Sequence, residues 1–454
     1  MSKQIDLLDG SPDGAEQDLL HFLRRDLLKC LGVGAAMATW PAAAASANSV
    51  TTPVLALPGI KAWNDYLDAL KPAGAVAQMP WFRQDDLTRA KVYQQLVMNI
   101  AQGYFWYFQA TPEHPDWMPF ENSVFLLQPN PDGIYHIAPV DGRGVYRIVG
   151  NRGGNKVMGF ATGAGMLGTR AHADAMARGK PAFNNYDADG LVLGENGAFE
   201  VIFSARRPDG WTGDWRFLDP MAETILIRQF SYDWGNEPEA RFAIERLDVA
   251  PLKPALTAVQ ISERLDLLLG DFVGRFSKFV AGFQQQLGGK LGFNVMELSG
   301  FEDMGNSPEW PQKYWRCVYD FKPGEALIIE TDIPKAKYWN VQINDLLWNQ
   351  VEFAHRQSSL NGHQARMDSD GKFRAVIAME DPGIPNWLDT GGSTRGMLVG
   401  RWHRAESYPM PTIRKVPLQD VSKFLPKDTP KFSRAEREKV LRTRNIGVQL
   451  RRRW

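Results

Sequence analysis

The sequence predicts an α+β protein built on one or two antiparallel β-sandwiches with flanking helices, and three observations predict it. Short segments of period-two alternation run between residues 118 and 250 and return between 314 and 418. A stretch of helical periodicity precedes each of these regions. Few βα units alternate, which argues against a doubly wound parallel sheet.

Taken in order, the chain opens on an export signal. Residues 23–29 read Leu-Arg-Arg-Asp-Leu-Leu-Lys, an apolar small-residue run follows from Cys30 to Ala45, and Ala45-Ser46-Ala47 closes it. A charged region, an apolar region and an A-x-A site in that order describe a signal peptide over 1–47, and the paired Arg24 and Arg25 make it resemble the twin-arginine type. The apolar run falls short of the ~20 residues a spanning helix needs. Cleavage after Ala47 is therefore expected to leave no stable membrane anchor, with the export machinery as a partner and the periplasm as the location. The mature chain keeps one cysteine, Cys317, and closes no internal disulfide there.

Residues 48–117 are expected to form a linker and an N-terminal helical segment, in which Val92, Leu96, Ile100 and Tyr104 recur every four positions along one helix face. A β-rich domain spans 118–255, with Val145 to Ile148, Phe199 to Phe203 and Ile225 to Arg228 as strands. A helical connection spans 256–300, where Leu265, Leu268, Phe272, Phe276, Phe279 and Phe283 lay an aromatic stripe on a core. The second β domain spans 301–425, with strands at Ala326 to Ile329, 339–344, Phe373 to Met379 and Met397 to Trp402. Along 339–344, Trp339, Val341 and Ile343 alternate with Asn340, Gln342 and Asn344, so one face is apolar and the other carries three amides. A basic tail spans 426–454, with Arg434, Arg437, Arg442, Arg444 and Arg451 to Arg453, and reads as a solvated or docked helix. No fixed-period repeat is visible.

Composition excludes several function classes. Across 454 residues, 52 basic side chains balance 52 acidic ones, so the net charge favours no nucleic acid or other polyanion as the main partner. Two Cys and seven His, with neither H-E-x-x-H nor C-x-x-C, supply no metal site, and a G-x-S-x-G nucleophile elbow is absent. Gly163-Ala164-Gly165-Met166-Leu167-Gly168 matches the dinucleotide fingerprint, with Asp187 and Asp189 following. A nicotinamide oxidoreductase on that segment requires it to lie between a parallel strand and a helix. That is a remote alternative, and no cofactor is expected.

The densest polar constellation lies in the C-terminal β region. Asn340, Asn344, Glu352, His355, Arg356 and Asn361 are followed by Asp381-Pro382-Gly383, then by Asn386-Trp387-Leu388-Asp389 and Arg401-Trp402-His403. Asp389 or Glu352 is the expected general acid/base, assisted by His355 or His403, with Arg401 stabilising negative charge. Trp387, Asn386, Trp402, Asn340 and Asn344 are expected to hold the ligand, joined by Asn130, Asp132 and Tyr135 upstream. The competing reading is that these residues build turns and that Arg401 pairs with Asp389 for structure.

The stretch from Tyr338-Trp339-Asn340 through Asn349, His355-Arg356-Gln357, Met367 to Gly371 and Asp381 to Trp402 resembles the family catalogued as domain of unknown function 1214. Upstream, Asn130-Pro131-Asp132 with Tyr135, Tyr146-Arg147-Ile148 and Arg228-Gln229 with Asp233-Trp234 are similar to the segment that accompanies it in longer members. The resemblance implies a jelly-roll-like C-terminal sandwich, is compatible with the export signal, and implies no particular reaction. The expected function is binding, with chemical processing, of a hydroxylated or partly hydrophobic small molecule. The alternative is a ligand-binding sandwich without chemistry.

Overall fold

Period-two patterning resolves into eighteen strands in a computed structural model that describes residues 59–120, 130–304 and 306–451. The expected export signal, most of the expected linker and Arg452 and Arg453 of the tail lie outside the described residues. The first nine strands are β1 (Met118–Phe120), β2 (Gly133–Pro139), β3 (Tyr146–Asn151), β4 (Val157–Gly163), β5 (Ala182–Asp187), β6 (Ala198–Ser204), β7 (Asp214–Phe217), β8 (Thr224–Phe230) and β9 (Arg241–Arg246). They form a five-stranded sheet in the order β1-β2-β8-β4-β5 and a four-stranded sheet in the order β7-β6-β3-β9.

The second nine are β10 (Glu297–Gly300), β11 (Gln312–Asp320), β12 (Glu325–Asp332), β13 (Ala336–Asn344), β14 (Ser359–Asn361), β15 (Lys372–Ala378), β16 (Trp387–Asp389), β17 (Arg395–Ala405) and β18 (Thr412–Pro417). Their sheets run β10-β11-β17-β13-β14 and β16-β15-β12-β18. Adding nine to each strand number of the first half gives the second. The correspondence extends to the parallel pairs, β6 with β7 and β15 with β16, in sheets whose other pairings are antiparallel. The chain thus contains the same sandwich topology twice, although no repeat is visible in its sequence.

Each five-stranded sheet is covered on both faces. Met158, Phe160, Ile225 and Ile227 meet Tyr146, Ile148, Val201 and Phe203 inside the first sandwich. Trp315, Trp339, Val341 and Trp402 meet Leu327, Ile329, Phe373 and Ile377 inside the second. The remaining faces of the two five-stranded sheets turn toward each other, with Ile137 and Phe230 of one and Tyr314, Tyr338 and Val399 of the other in a shared core.

Helices close that inner core. α1 (Trp63–Leu70), α2 (Asp86–Tyr104), α3 (Arg170–Ala177), α4 (Ala258–Leu265) and α5 (Val273–Leu291) precede or interrupt the strands. α4 runs into α5 through a π-helical turn at Asp266–Phe272, which places Leu268, Phe272 and Phe276 of the expected stripe in the core. α2 departs from its expected face. Val92 is buried, but Tyr104 is exposed, because three steps of four residues overshoot three turns by ~120°. The buried face carries Gln95, Asn99 and Gln102 instead. Asn99 donates to Ser277 Oγ at 2.6 Å and to the Val273 carbonyl at 3.2 Å, and these bonds make the polar burial affordable.

The basic tail is a docked helix, α6 (Arg434–Leu450), capped by Ser433 and Glu436. Arg437, Arg444 and Arg451 are buried at heptad spacing. None of the described helices is long and apolar enough to cross a membrane.

Gly400 of β17 lies beneath Trp315, and a methyl group there would stand 1.9 Å from the indole. Gly400→Ala is expected to lower unfolding free energy by ~1–3 kcal/mol, as overpacked cores do. Urea denaturation checks it, and wild-type stability in the variant would show that the second core yields.

Candidate functional site

Alternation along β13 and β17 decides which side chains meet. Tyr338, Asn340, Gln342 and Asn344 point away from the Trp339 face, and Arg401 and His403 point away from the Trp402 face. Arg401 lies opposite Asn340 on one neighbouring strand and opposite Tyr314 on the other. Its guanidinium donates to Asn340 Oδ1 at 3.2 Å and to Gln342 Oε1 at 2.6 Å, and it covers the Tyr314 ring at 5.3 Å. Burial opposes its charge, and the surrounding oxygens of Tyr314, Tyr135 and Tyr338 outweigh that, so the group stays protonated.

A hydrogen-bonded chain runs on from this arginine. Asn340 donates to Asn130 Oδ1 at 2.7 Å, Asn130 donates to the Tyr338 hydroxyl at 2.8 Å, and that hydroxyl donates to Asp132 Oδ2 at 2.6 Å. Asp132 also accepts from Trp234 Nε1 at 2.8 Å and from Asn361 at 2.6 Å. Burial still pushes its carboxyl above the usual range, against the pull of these donors. The chain crosses from one sandwich to the other, with Asn130 and Asp132 from the first and Tyr338, Asn340 and Asn361 from the second.

A cavity of about 430 Å³ lies between the two five-stranded sheets. Phe120, Ile137, Met166, Leu226, Phe230 and Phe279 give it apolar walls, and Tyr135, Arg228, Tyr314 and Arg401 contribute polar groups. Exposed Met176, Gln286 and Asp303 stand at its rim. His172 also faces it, and burial lowers its pKa to about 4, which keeps it neutral near pH 7.

Arg401 and Tyr135 are thus the two expected site residues that line the cavity. Asn340, Asn344, Asn130 and Asp132 lie in the buried network, where Asn344 accepts from Gln342 at 2.9 Å. The expected convergence of 386–401 with 340–361 around one hollow does not occur. Asn386 is saturated by Arg366 and Arg374 backbone carbonyls at 2.6 and 2.8 Å, and Trp387 donates to Ala378 O at 3.0 Å beneath the Arg437 guanidinium. Asp389 pairs with Arg356 at 2.9 Å and accepts from Gly391 N at 2.8 Å; Arg401 is not its partner.

Glu352 and His355 form an exposed pair at 2.6 Å, away from the cavity walls. Trp402 occupies the opposite face from Arg401, packed on Trp315 at 5.7 Å. His403 shares the Arg401 face but packs, tilted, on Trp310 at 4.7 Å, and neither ring nitrogen has a hydrogen-bond partner among the described residues. Turn-forming Asp, Asn, Gly and Pro account for 381–391, and period two separates Arg401 from Trp402.

The sequence reading missed Arg228 and Tyr314. The available signal was a charged residue on an apolar strand face, Leu226-x-Arg228-x-Phe230. The fingerprint at 163–168 does lead from β4 into α3, but β4 is antiparallel to both β5 and β8, so the parallel context of a dinucleotide site is missing. Its glycines have local reasons. Gly165 and Gly168 take φ of 73° and 85°, and Gly168 leaves room for the Phe276 ring. Among the described residues, no three His, Cys, Asp or Glu side chains are grouped to hold a metal ion.

No protein-family model matches the chain, and no curated protein matches it in sequence. Among solved structures, it is similar to an uncharacterized protein from Burkholderia cenocepacia at 27% identity and a TM-score of 0.70, over 78% of this chain and 96% of that one. A protein from Vibrio parahaemolyticus matches 77% of this chain and 100% of its own at 11% identity, with a TM-score of 0.41. The first likeness extends the α+β sandwich architecture to a second chain.

Burial lowers the His403 pKa to about 3, with Arg404, Lys337 and Arg228 adding to the effect. The unfolded value is ~6.5, so acidification from pH 7 to 5 protonates the unfolded chain first and costs the fold ~2 kcal/mol through this group. His403→Phe removes that contribution. Wild type is expected to lose stability relative to the variant over this interval in urea titrations, and parallel curves would refute the assignment.

Proposed function

We propose that the chain is an exported protein that binds a small, largely apolar molecule between its two sandwiches. The observation that carries this reading is the cavity of about 430 Å³, walled by both five-stranded sheets and set with a few polar groups. Its size and composition are those of small-molecule sites. Binding without chemistry is favoured over the acid-base reading, because Asp389 and Glu352 are engaged elsewhere. Among the described lining residues, neutral His172, rim-exposed Asp303 and the phenols of Tyr135 and Tyr314 are the candidate proton-transfer groups, and they include no paired carboxylates of the kind the acid-base reading needs.

The neutral fluorophore N-phenyl-1-naphthylamine serves as a first probe. Wild type is expected to enhance its emission saturably, and Ala161→Phe, which fills space at the wall, is expected to weaken binding about tenfold. Equal affinity in the two proteins would place the fluorophore elsewhere and overturn the reading.

Export rests on the first 47 residues, with Arg24 and Arg25 at the junction of the charged and apolar regions. Replacing both by lysine is expected to shift the protein from the periplasmic to the cytoplasmic fraction of a bacterial host. Unchanged fractionation would remove the twin-arginine assignment.

A further inference from the structure

An imidazole stands in the apolar wall of the cavity. His172 and Met176, four residues apart on one face of α3, both line it. The His172 N–H donates to the Thr169 hydroxyl at 3.3 Å, a cap that fixes where α3 begins and which way that face turns. The ring meets Phe279 of α5 edge to face, with centroids 6.0 Å apart and planes at 86°. Two elements thus hold it in place.

Its bonding sets it apart from the threonines and Gln312 of the same wall. Thr162 Oγ1 accepts from Asn184 N at 3.2 Å, Thr224 donates to the Gly163 carbonyl at 3.2 Å, and Gln312 accepts from Trp310 Nε1 at 3.4 Å. Neither ring nitrogen of His172 bonds to a described residue, although the residue is only 7% exposed. Burial alone lowers its pKa, with no charged group contributing, so the ring sits neutral among apolar neighbours. A neutral imidazole carries one N–H donor and one bare nitrogen that accepts. A hydroxyl both donates and accepts, so it can pair with the ring in either tautomer, whereas a carbonyl serves only the N–H.

We infer that His172 is the recognition residue of this cavity, and that the ligand is an apolar molecule carrying a hydroxyl group that bonds the imidazole. Phe120, Met166 and Phe279 take the body of the molecule, and the ring fixes its orientation. A buried group that bonds a hydroxyl also discriminates against an analogue lacking one, because the group is then left unmet. This inference rests on the binding function proposed above and adds the functional group by which the ligand is chosen.

Displacement of N-phenyl-1-naphthylamine from the full chain by 1-naphthol and by 1-methylnaphthalene tests it, because these two compounds differ by a hydroxyl in place of a methyl group. Apolar burial alone ranks the methyl compound first. Wild type is expected to bind 1-naphthol at least about fivefold more tightly. His172→Phe, which keeps an aromatic ring beside Phe279, is expected to bring 1-naphthol down to the level of 1-methylnaphthalene or below it. His172→Leu serves the same purpose should the first variant fail to fold. If wild type shows no preference for 1-naphthol, hydroxyl recognition is wrong and the apolar cavity stands. If the preference survives in the variant, another group of the wall takes the hydroxyl and the assignment to His172 is overturned. If neither the fluorophore nor either naphthalene binds, the binding function falls together with the inference.

Discussion

A β-sheet covered on both faces has no solvent side on which to leave polar groups. Sheet β10-β11-β17-β13-β14 is in that position, with the Trp315, Trp339 and Trp402 core on one side and the first sandwich on the other. An unmet buried amide or hydroxyl on its second face costs ~1–3 kcal/mol, so most donors and acceptors there are met within the protein, the buried His403 ring being an exception. Asn340, Gln342 and Asn344 meet that demand by bonding along the strand, to Arg401 and across to Asn130. The three amides on one face of 339–344 are the means by which two sandwiches share an interior. Cavity, buried cations and the chain to Asp132 all follow from that stacking.

The same constraint explains why the repeated strand order stays hidden in the sequence. A sandwich topology is specified by alternation, strand length and turns, which many residues satisfy, so two copies can diverge while every pairing is kept. The copies also differ where chain is inserted. α3 separates β4 from β5, whereas irregular chain around Trp348 separates β13 from β14. Residues at equivalent points remain alike where the two five-stranded sheets face each other, with Tyr135 matching Tyr314 and Arg228 matching Arg401.

Strand and helix periodicity were therefore legible, and convergence was not. The segments at 146, 199, 225, 326, 339, 373 and 397 all proved to be strands, because alternation is a local property. The motif from Asp381 to Asp389 is dense in polar residues for a structural reason: Gly383, Asn386 and Asp389 hold turns and a short parallel strand that carry few bonds of their own. Arg401, Trp402 and His403 are adjacent in sequence, yet the pleat sends the tryptophan into one core and its neighbours into another. Arg228 stood out as a lone charge among Ile225, Leu226, Ile227 and Phe230. Its significance depended on a partner sheet built from residues about 170 positions later, and no local pattern encodes that pairing.

The C-terminal segment ties the two sandwiches together. Its basic side chains reach back to both sandwiches. Arg437 binds the Ile384 and Pro385 carbonyls and Asp381, and Arg444 binds Ser359 and Gln364 in the second half. Arg451 binds the carbonyls of Pro131 and Asp132 and pairs with Glu239 in the first. These three cations are spent on internal acceptors and on aromatic faces such as Trp234, so this face of α6 offers no charge to an outside polyanion. Arg451 also fixes the backbone of the residue whose carboxylate ends the chain from Arg401. A segment that reads as a basic tail thus holds the far end of the network that orients the guanidinium in the cavity wall, and the geometry of the cavity depends on residues far apart in the chain.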